Sequence, residues 1–329
     1  MIVPASSCRR SARCLLAAGV FLVTLAGCAS PRLQAVAHAG LGQIPQRVEL
    51  DDVPFYAQEE YQCGPAALAM VLGAGGNPVE PETLRPQVYV PGRHGSLQVE
   101  MLAAARRNGF VAVELKPELP DLLAEIAAGT PVVVLQNLAF DWKPVWHYAV
   151  AVGYDLDAGR IVLRSGGTQR LEMPIDSFER TWERGGYWAM LALPPQRLPA
   201  SVAVPDYLGG VVKLEKAGQP GPARTAYESV LSHAPENLVA LLGLGNTAYV
   251  QGDFKTAELA FRRAAVAHPQ SAAAHNNLAQ TLAELDRYEE ALAEAQTAVS
   301  LGGPFEDVAT RTLHAVAARA DRTERTWQR

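Results

Sequence analysis

The chain has 329 residues, 49% of them hydrophobic and 19% charged, with a net charge of −5. That length points to two domains rather than one. The mild acidity leaves no electrostatic footprint for nucleic acid, and no Cys-x-x-Cys, His-Glu-x-x-His or phosphate-binding glycine loop points to a metal or nucleotide, so no cofactor is expected.

Residues 1–27 read as a targeting segment. Arg9, Arg10 and Arg13 form a basic start, and Leu15 to Ala26 form an apolar run too short to span a bilayer. The run ends Leu25-Ala26-Gly27-Cys28, which resembles the bacterial lipobox. The resemblance implies cleavage before Cys28 and lipidation of Cys28. Several acyl chains, at about 0.8 kcal/mol per buried CH₂, make a stable anchor. Ala29 rather than Asp after the cysteine implies, by the sorting pattern of bacterial lipoproteins, an outer-membrane protein facing the periplasm. Residues 28–49, with Pro31, Gly40, Gly42 and Pro45, read as a tether.

Residues 50–193 read as a catalytic-type α+β domain. After the extended Val53-Pro54-Phe55 comes a helix that begins at Cys63 and runs to Leu72, with Gly64 and Pro65 suited to its first positions. Gly73-Ala74-Gly75-Gly76 stops it. A short helix fits Pro81–Arg85, and Gly92-Arg93-His94-Gly95 forms a loop tip. Ser96 is the expected N-cap of a helix to Asn108, and Leu119–Ala128 the next helix. Phe110–Leu115, Pro131–Leu138, Trp146–Tyr154, Arg160–Arg164 and Tyr187–Leu193 read as strands. Helices first and then an antiparallel sheet is an α+β order. Trp142, Trp146, Trp182 and Trp188 fit core packing, with a groove lining as the alternative.

Of the four cysteines, Cys8 and Cys14 fall in the segment to be removed and Cys28 is the lipidated one, which leaves Cys63 as the free thiol. A thiol at a helix N-terminus is expected to have a lowered pKa. His147 lies downstream on a strand, as a cysteine's general base does. Gln58, just upstream of Cys63, offers an amide to an oxyanion beside the Cys63 N–H. His94 is a rival base in a loop, and Glu59 and Glu60 read as solvated loop charges.

The Val-Pro-Phe-x-x-Gln run, the Cys-Gly-Pro-Ala-Ala-Leu box and the later His-Tyr-Ala-Val-x-Val-Gly-Tyr strand resemble the C39-like branch of papain-type cysteine peptidases. The resemblance covers roughly residues 50–193 and implies a papain-like fold. In it Cys63 is the nucleophile, His147 the general base and acid, and Gln58 the oxyanion donor. The family commonly carries an Asp on the strand after the histidine strand. Here that strand reads Ile161-Val162-Leu163-Arg164-Ser165, without an acid. A hairpin through Asp155–Gly159 puts residues near 165–169 beside His147. Ser165 enters the candidate catalytic set, with Thr168, Gln169 and Asn137 as further candidates to orient the imidazole.

Pro194 to Ala203 reads as a linker. Residues 204–320 read as a repeat domain in which 204–305 carry a 34-residue period: Ala223, Ala257 and Ala291; Tyr227, Phe261 and Ala295; turn residues Gly218, Gly252 and Asp286. The period and the small–aromatic–proline rhythm resemble tetratricopeptide repeats, with a capping helix from Asp307 to about Ala320 and a frayed tail over 321–329. A stacked helical array offers a concave face to a peptide or protein partner. Asn246, His275, Asn276 and Asn277 are polar residues at the repeats' first helices.

The expected protein is therefore a lipid-anchored envelope cysteine peptidase with substrate- or partner-recruiting repeats. Two rival readings stay open: a non-catalytic peptide-binding assembly factor, and an acyltransferase or amidase using the same thioester chemistry.

Overall fold

The run Cys-Gly-Pro-Ala-Ala-Leu-Ala-Met-Val-Leu-Gly-Ala is apolar on every side, and a helix of that kind belongs inside a protein. In a computed structural model, which describes residues 44–58 and 62–327, it does so: α1 (Cys63–Ala74) is buried from Gly64 to Leu72. The readings of residues 1–27, of Cys28, of most of the tether and of Glu59 and Glu60 lie outside the described residues. Leu68, Met70 and Leu72 are fully buried in α1, and each such side chain contributes about 1.5–3 kcal/mol relative to exposure.

Before α1 runs β1 (Arg47–Glu49). After it come α2 (Pro81–Val88) and a small hairpin of β2 (Tyr89–Val90) and β3 (Gly95–Ser96), turned through Pro91–Arg93. Next are α3 (Gln98–Arg107), β4 (Val111–Glu114), α4 (Leu119–Ala127) and β5 (Val132–Asn137). The domain is completed by β6 (Trp146–Asp155), β7 (Arg160–Ser165), β8 (Thr168–Pro174), α5 (Ile175–Arg184) and β9 (Ala189–Leu193). The main sheet has the order β4-β9-β5-β6-β7-β8, with β1 added to the far end of β6. Every pairing in it is antiparallel. β5 and β9 are buried at every residue and take interior places, whereas the polar β8 takes an edge.

Three local expectations are corrected. Ser96 does not cap α3, which starts at Gln98 after an extended Leu97, because Ser96 is paired with Tyr89 in the hairpin. β8 and α5 are ordered elements where no element was expected; α5 carries Ile175, Phe178 and Trp182 inward at helical spacing. The four tryptophans divide: Trp182 is buried and Trp188 half-buried, but Trp142 and Trp146 are 80% and 55% exposed.

The segment 194–203 is held along its length. Arg197 donates to the Gly129 carbonyl at 2.8 Å, and the Ser201 N–H and hydroxyl both donate to Glu125, whose side chain is buried. It leads to α6 (Val204–Lys216), which lies against the edge strand β4. The approach is close enough that a Cβ at Gly210 would stand 2.5 Å from Val113 Cγ1 and 3.3 Å from the Ala112 carbonyl.

Antiparallel helices follow: α7 (Pro220–His233), α8 (Leu238–Val250), α9 (Phe254–Ala267), α10 (Ala272–Glu284) and α11 (Tyr288–Leu301). The repeat rhythm has a packing cause. The ring of Tyr227 fills the space a Cβ would take at Gly243, and that of Phe261 the space at Gly245. Gly218, Gly252 and Asp286 all turn with positive φ, of 80°, 76° and 57°. The closing helix α12 (Glu306–Trp327) continues where a frayed tail was expected. Asn277 donates to Asn246 at 3.1 Å, so these two side chains are joined across neighbouring repeats, while Asn276 is buried. Among the described residues no helix is long and apolar enough to cross a membrane.

Candidate active site

The start of α1 fixes Cys63, the candidate nucleophile. The first N–H groups of a helix have no partner within it, and here those of Cys63 and Gly64, together with the N–H of Tyr148 from β6, favour the thiolate form of Cys63. Gly64 is required by a close approach: a Cβ there would lie 2.2 Å from Ser96 Oγ. The β2–β3 hairpin thus rests directly on the helix start, tied down by the Tyr148 hydroxyl donating to the Ser96 carbonyl at 3.1 Å.

Gln58 is fastened at three points. Its backbone N–H donates to the Gly166 carbonyl at 3.0 Å, and its Oε1 accepts from the Gly166 N–H at 3.0 Å. Its Nε2 donates one hydrogen to the Tyr148 carbonyl at 3.1 Å, leaving a second for another acceptor. His147 lies on β6 opposite Gln136 of β5, and its Nε2 is 2.8 Å from Ser165 Oγ at the end of β7. Among the described residues Ser165 is the ring's hydrogen-bond partner. Asn137, the rival, is corrected: its Oδ1 accepts from Ala139 and Val145 N–H and shapes the loop between β5 and β6. Thr168 pairs with Ser165 in the β7–β8 ladder, and the Gln169 carbonyl accepts from Arg164. Asp155 caps its own turn by accepting from the Ala158 N–H, as a turn residue does.

Gln58, Cys63 and His147 line one cleft of about 880 Å³. Its walls come from Arg93 to Gln98, from Val145 to Tyr148, and from Arg184 to Gly186. His94, read as a loop residue without a route to Cys63, faces the same cleft from the hairpin tip, with φ of 49°. The Arg184 and Leu97 walls are contributions that sequence reasoning missed. The inward periodicity of α5 was a signal for the first; nothing local signalled the second.

Electrostatics corrects one expectation. Burial pushes the Cys63 thiol up, and the N–H groups of Tyr148, Gly64 and Cys63 pull it down by less. Burial also pushes His147 down. The helix-start donors act as expected, but the loss of water outweighs them. No hydrogen bond joins Cys63 and His147 in this resting geometry, in which both groups are neutral near pH 7; apo catalytic pairs are often loose. Among the described residues no group of three or more His, Cys, Asp or Glu could hold a metal.

Comparison with known proteins follows the same division of the chain. Residues 50–190 match the model of the Peptidase_C39 like family, and residues 213–271 and 242–304 match the tetratricopeptide repeat. A Bacillus anthracis structure described as a C39-like peptidase is 20% identical, covering 45% of this chain and 97% of its own, with a TM-score of 0.38. The peptidase domain of Streptococcus ComA, a bifunctional ABC transporter, is 22% identical, covering 43% and 98%, with a TM-score of 0.36. An O-GlcNAc transferase from Thermobaculum terrenum is 25% identical, covering 35% of this chain and 25% of its own, with a TM-score of 0.29. No curated protein sequence matches the chain. Residues 50–190 are a domain of the C39-like peptidase family, and residues 213–304 are tetratricopeptide repeats.

Proposed function

We propose that the chain is a lipid-anchored cysteine peptidase of the bacterial cell envelope, held at the outer membrane through Cys28 and facing the periplasm. Its repeats recruit the substrate or a protein partner on their concave face. The observation that carries the reading is the convergence of Cys63, His147 and Gln58 on one cleft, with Ser165 on the far nitrogen of the imidazole.

With Nε2 held by Ser165, Nδ1 is the nitrogen left to take the thiol proton. Cys63 Sγ attacks the peptide carbonyl carbon as its proton passes to His147. The oxyanion accepts from the Cys63 N–H and the remaining Gln58 Nε2–H. Collapse expels the amine, which takes the proton from His147, and leaves a thioester. Water, deprotonated by His147, then hydrolyses the thioester. Because both groups rest neutral, proton transfer accompanies attack and no ion pair precedes it.

The test is mass spectrometry of a peptide library incubated with the full chain and with Cys63→Ala. New peptide termini made by the parent alone support the reading; identical digests from both refute it. New amide or ester bonds would instead assign acyl transfer. The neutral pair and the absent acid favour a second reading, a non-catalytic peptide-binding assembly factor. Peptides bound equally by both chains without new termini would select it. Membrane fractionation of Cys28→Ala tests the anchor: the variant should leave the membrane fraction.

A further inference from the structure

The protein carries 34 acidic and 29 basic residues, yet the described part of its cleft lining is one-sided. Among the described residues Arg93, His94, His147 and Arg184 line it, and no Asp or Glu does. Elsewhere arginines are commonly paired: Arg170 with Glu49, Arg262 with Glu258, Arg287 with Glu290, Arg319 with Glu284. Arg93, at the exposed tip of the β2–β3 hairpin, forms no ion pair with a carboxylate among the described residues. Arg184, at the end of α5, donates through Nε and Nη2 to the Asn137 carbonyl at 3.2 and 3.0 Å. That acceptor is neutral, so the guanidinium is positioned, and among the described residues no carboxylate pairs with it. Two such groups lining the cleft that also holds Cys63 raise the positive potential in that shared space. A guanidinium fork matches a carboxylate in shape as well as charge.

We infer that Arg93 and Arg184 are specificity-determining residues that select peptides carrying a carboxylate close to the scissile bond. The inference rests on the peptidase reading for the word scissile, but the cationic cleft stands on its own geometry. The carboxylate is an Asp or Glu side chain or the chain's own C-terminus, and substrates with free and amidated ends separate these.

The first arm of the test needs no turnover. Alkylation of Cys63 in the full chain is followed by mass spectrometry of the peptide that contains it, with anionic iodoacetate and neutral iodoacetamide. The iodoacetate-to-iodoacetamide rate ratio should exceed that of glutathione. It should fall about threefold or more in Arg93→Gln, the size of one unit charge acting across several ångströms of largely aqueous dielectric, and recover in Arg93→Lys. Arg93 is exposed at a loop tip, so its variants fold; Arg184→Gln is the second variant. A ratio equal to that of glutathione, or unmoved by Arg93→Gln, overturns the inference.

The second arm compares kcat/KM for matched peptides bearing Glu, Gln or Lys beside the cleaved bond, with acid or amide ends. Preference for Glu or for a free end, reversed in Arg93→Glu, supports the inference; equal values for Glu and Gln and for the two ends overturn it. If no peptide is cut, the peptidase reading fails by itself. Fluorescence anisotropy of the same acidic and amide peptides on Cys63→Ala then decides the selectivity: tighter acidic binding supports it, equal binding overturns it.

Discussion

Replacing Ser165 by Asp places a carboxylate where the imidazole now meets a hydroxyl. At 2.8 Å from Nε2, the Ser165 hydroxyl can either donate or accept. When it donates to Nε2, the ring proton sits on Nδ1 and His147 cannot take the thiol proton. When it accepts from Nε2–H, Nδ1 is free to do so. A carboxylate only accepts, so Ser165→Asp removes the unproductive tautomer. It also stabilises the imidazolium. Opposite unit charges about 4 Å apart at an effective dielectric of 20 attract by about 4 kcal/mol, an upper bound before the new carboxylate loses its water. The net effect on a pKa is about 1–3 units upward. His147, now below its ordinary value because of burial, should rise above it. Its imidazole titration, read by ¹H–¹⁵N correlation in uniformly labelled protein, should move up and show protonated Nε2 in the neutral form. Cys63 should become alkylated at lower pH, as a thiolate–imidazolium pair gains population. With the folded pKa raised above the unfolded value near 6.5, the variant gains stability below that pH and loses it as pH rises through the folded pKa. An unmoved His147 titration would refute both the contact and the reasoning on tautomers.

Ser165→Ala should lower turnover by about two- to tenfold, the worth of one hydrogen bond of 0.5–1.5 kcal/mol, measured as kcat on any peptide the parent cuts. In the parent chain the pH midpoint of Cys63 alkylation should lie above that of a free thiol, and His147→Ala should shift it little while abolishing turnover; a plateau reached below pH 7 would contradict the neutral resting pair. Gln58→Ala should cut kcat by about 10²–10³ if its second N–H serves the oxyanion. The same variant should lower Tm, because Gly166 N–H and the Tyr148 carbonyl lose their partner. Gly210→Ala drives a methyl into Val113 and should cost about 1–3 kcal/mol, seen as a Tm several degrees lower by scanning calorimetry, with catalytic constants unchanged below the transition.

Much of this was legible in the sequence because local rules govern it. The Cys63 helix start, the His147 strand and the 34-residue spacing of Gly218, Gly252 and Asp286 are all patterns of near neighbours, and the structure realises each of them. The Asp155–Gly159 turn set a register that brings Ser165 to His147, so even one long-range contact could be read from hairpin geometry. What escaped depends on distant parts of the chain. The direction of the Cys63 shift is decided by how much water the folded domain excludes from the thiol, and no helix-start rule contains that. Asn137 was a plausible partner by strand adjacency, but its oxygen was claimed by the turn that follows it. The walls at Arg93 and Arg184 come from segments 91 residues apart that the cleft alone brings together.

The seating of α6 on β4 makes the repeat stack a lever with its fulcrum on the edge of the main sheet. Torque applied at the far end is delivered to β4 and from there to β9 and β5, and β5 carries Leu135 of the cleft and Gln136 opposite His147. The same geometry means that severing the chain at 194–203 strips an apolar edge bare rather than freeing an independent domain. Inheritance should follow that constraint: a substitution deep in the repeats that loosens α6 is felt first as a less durable N-terminal domain.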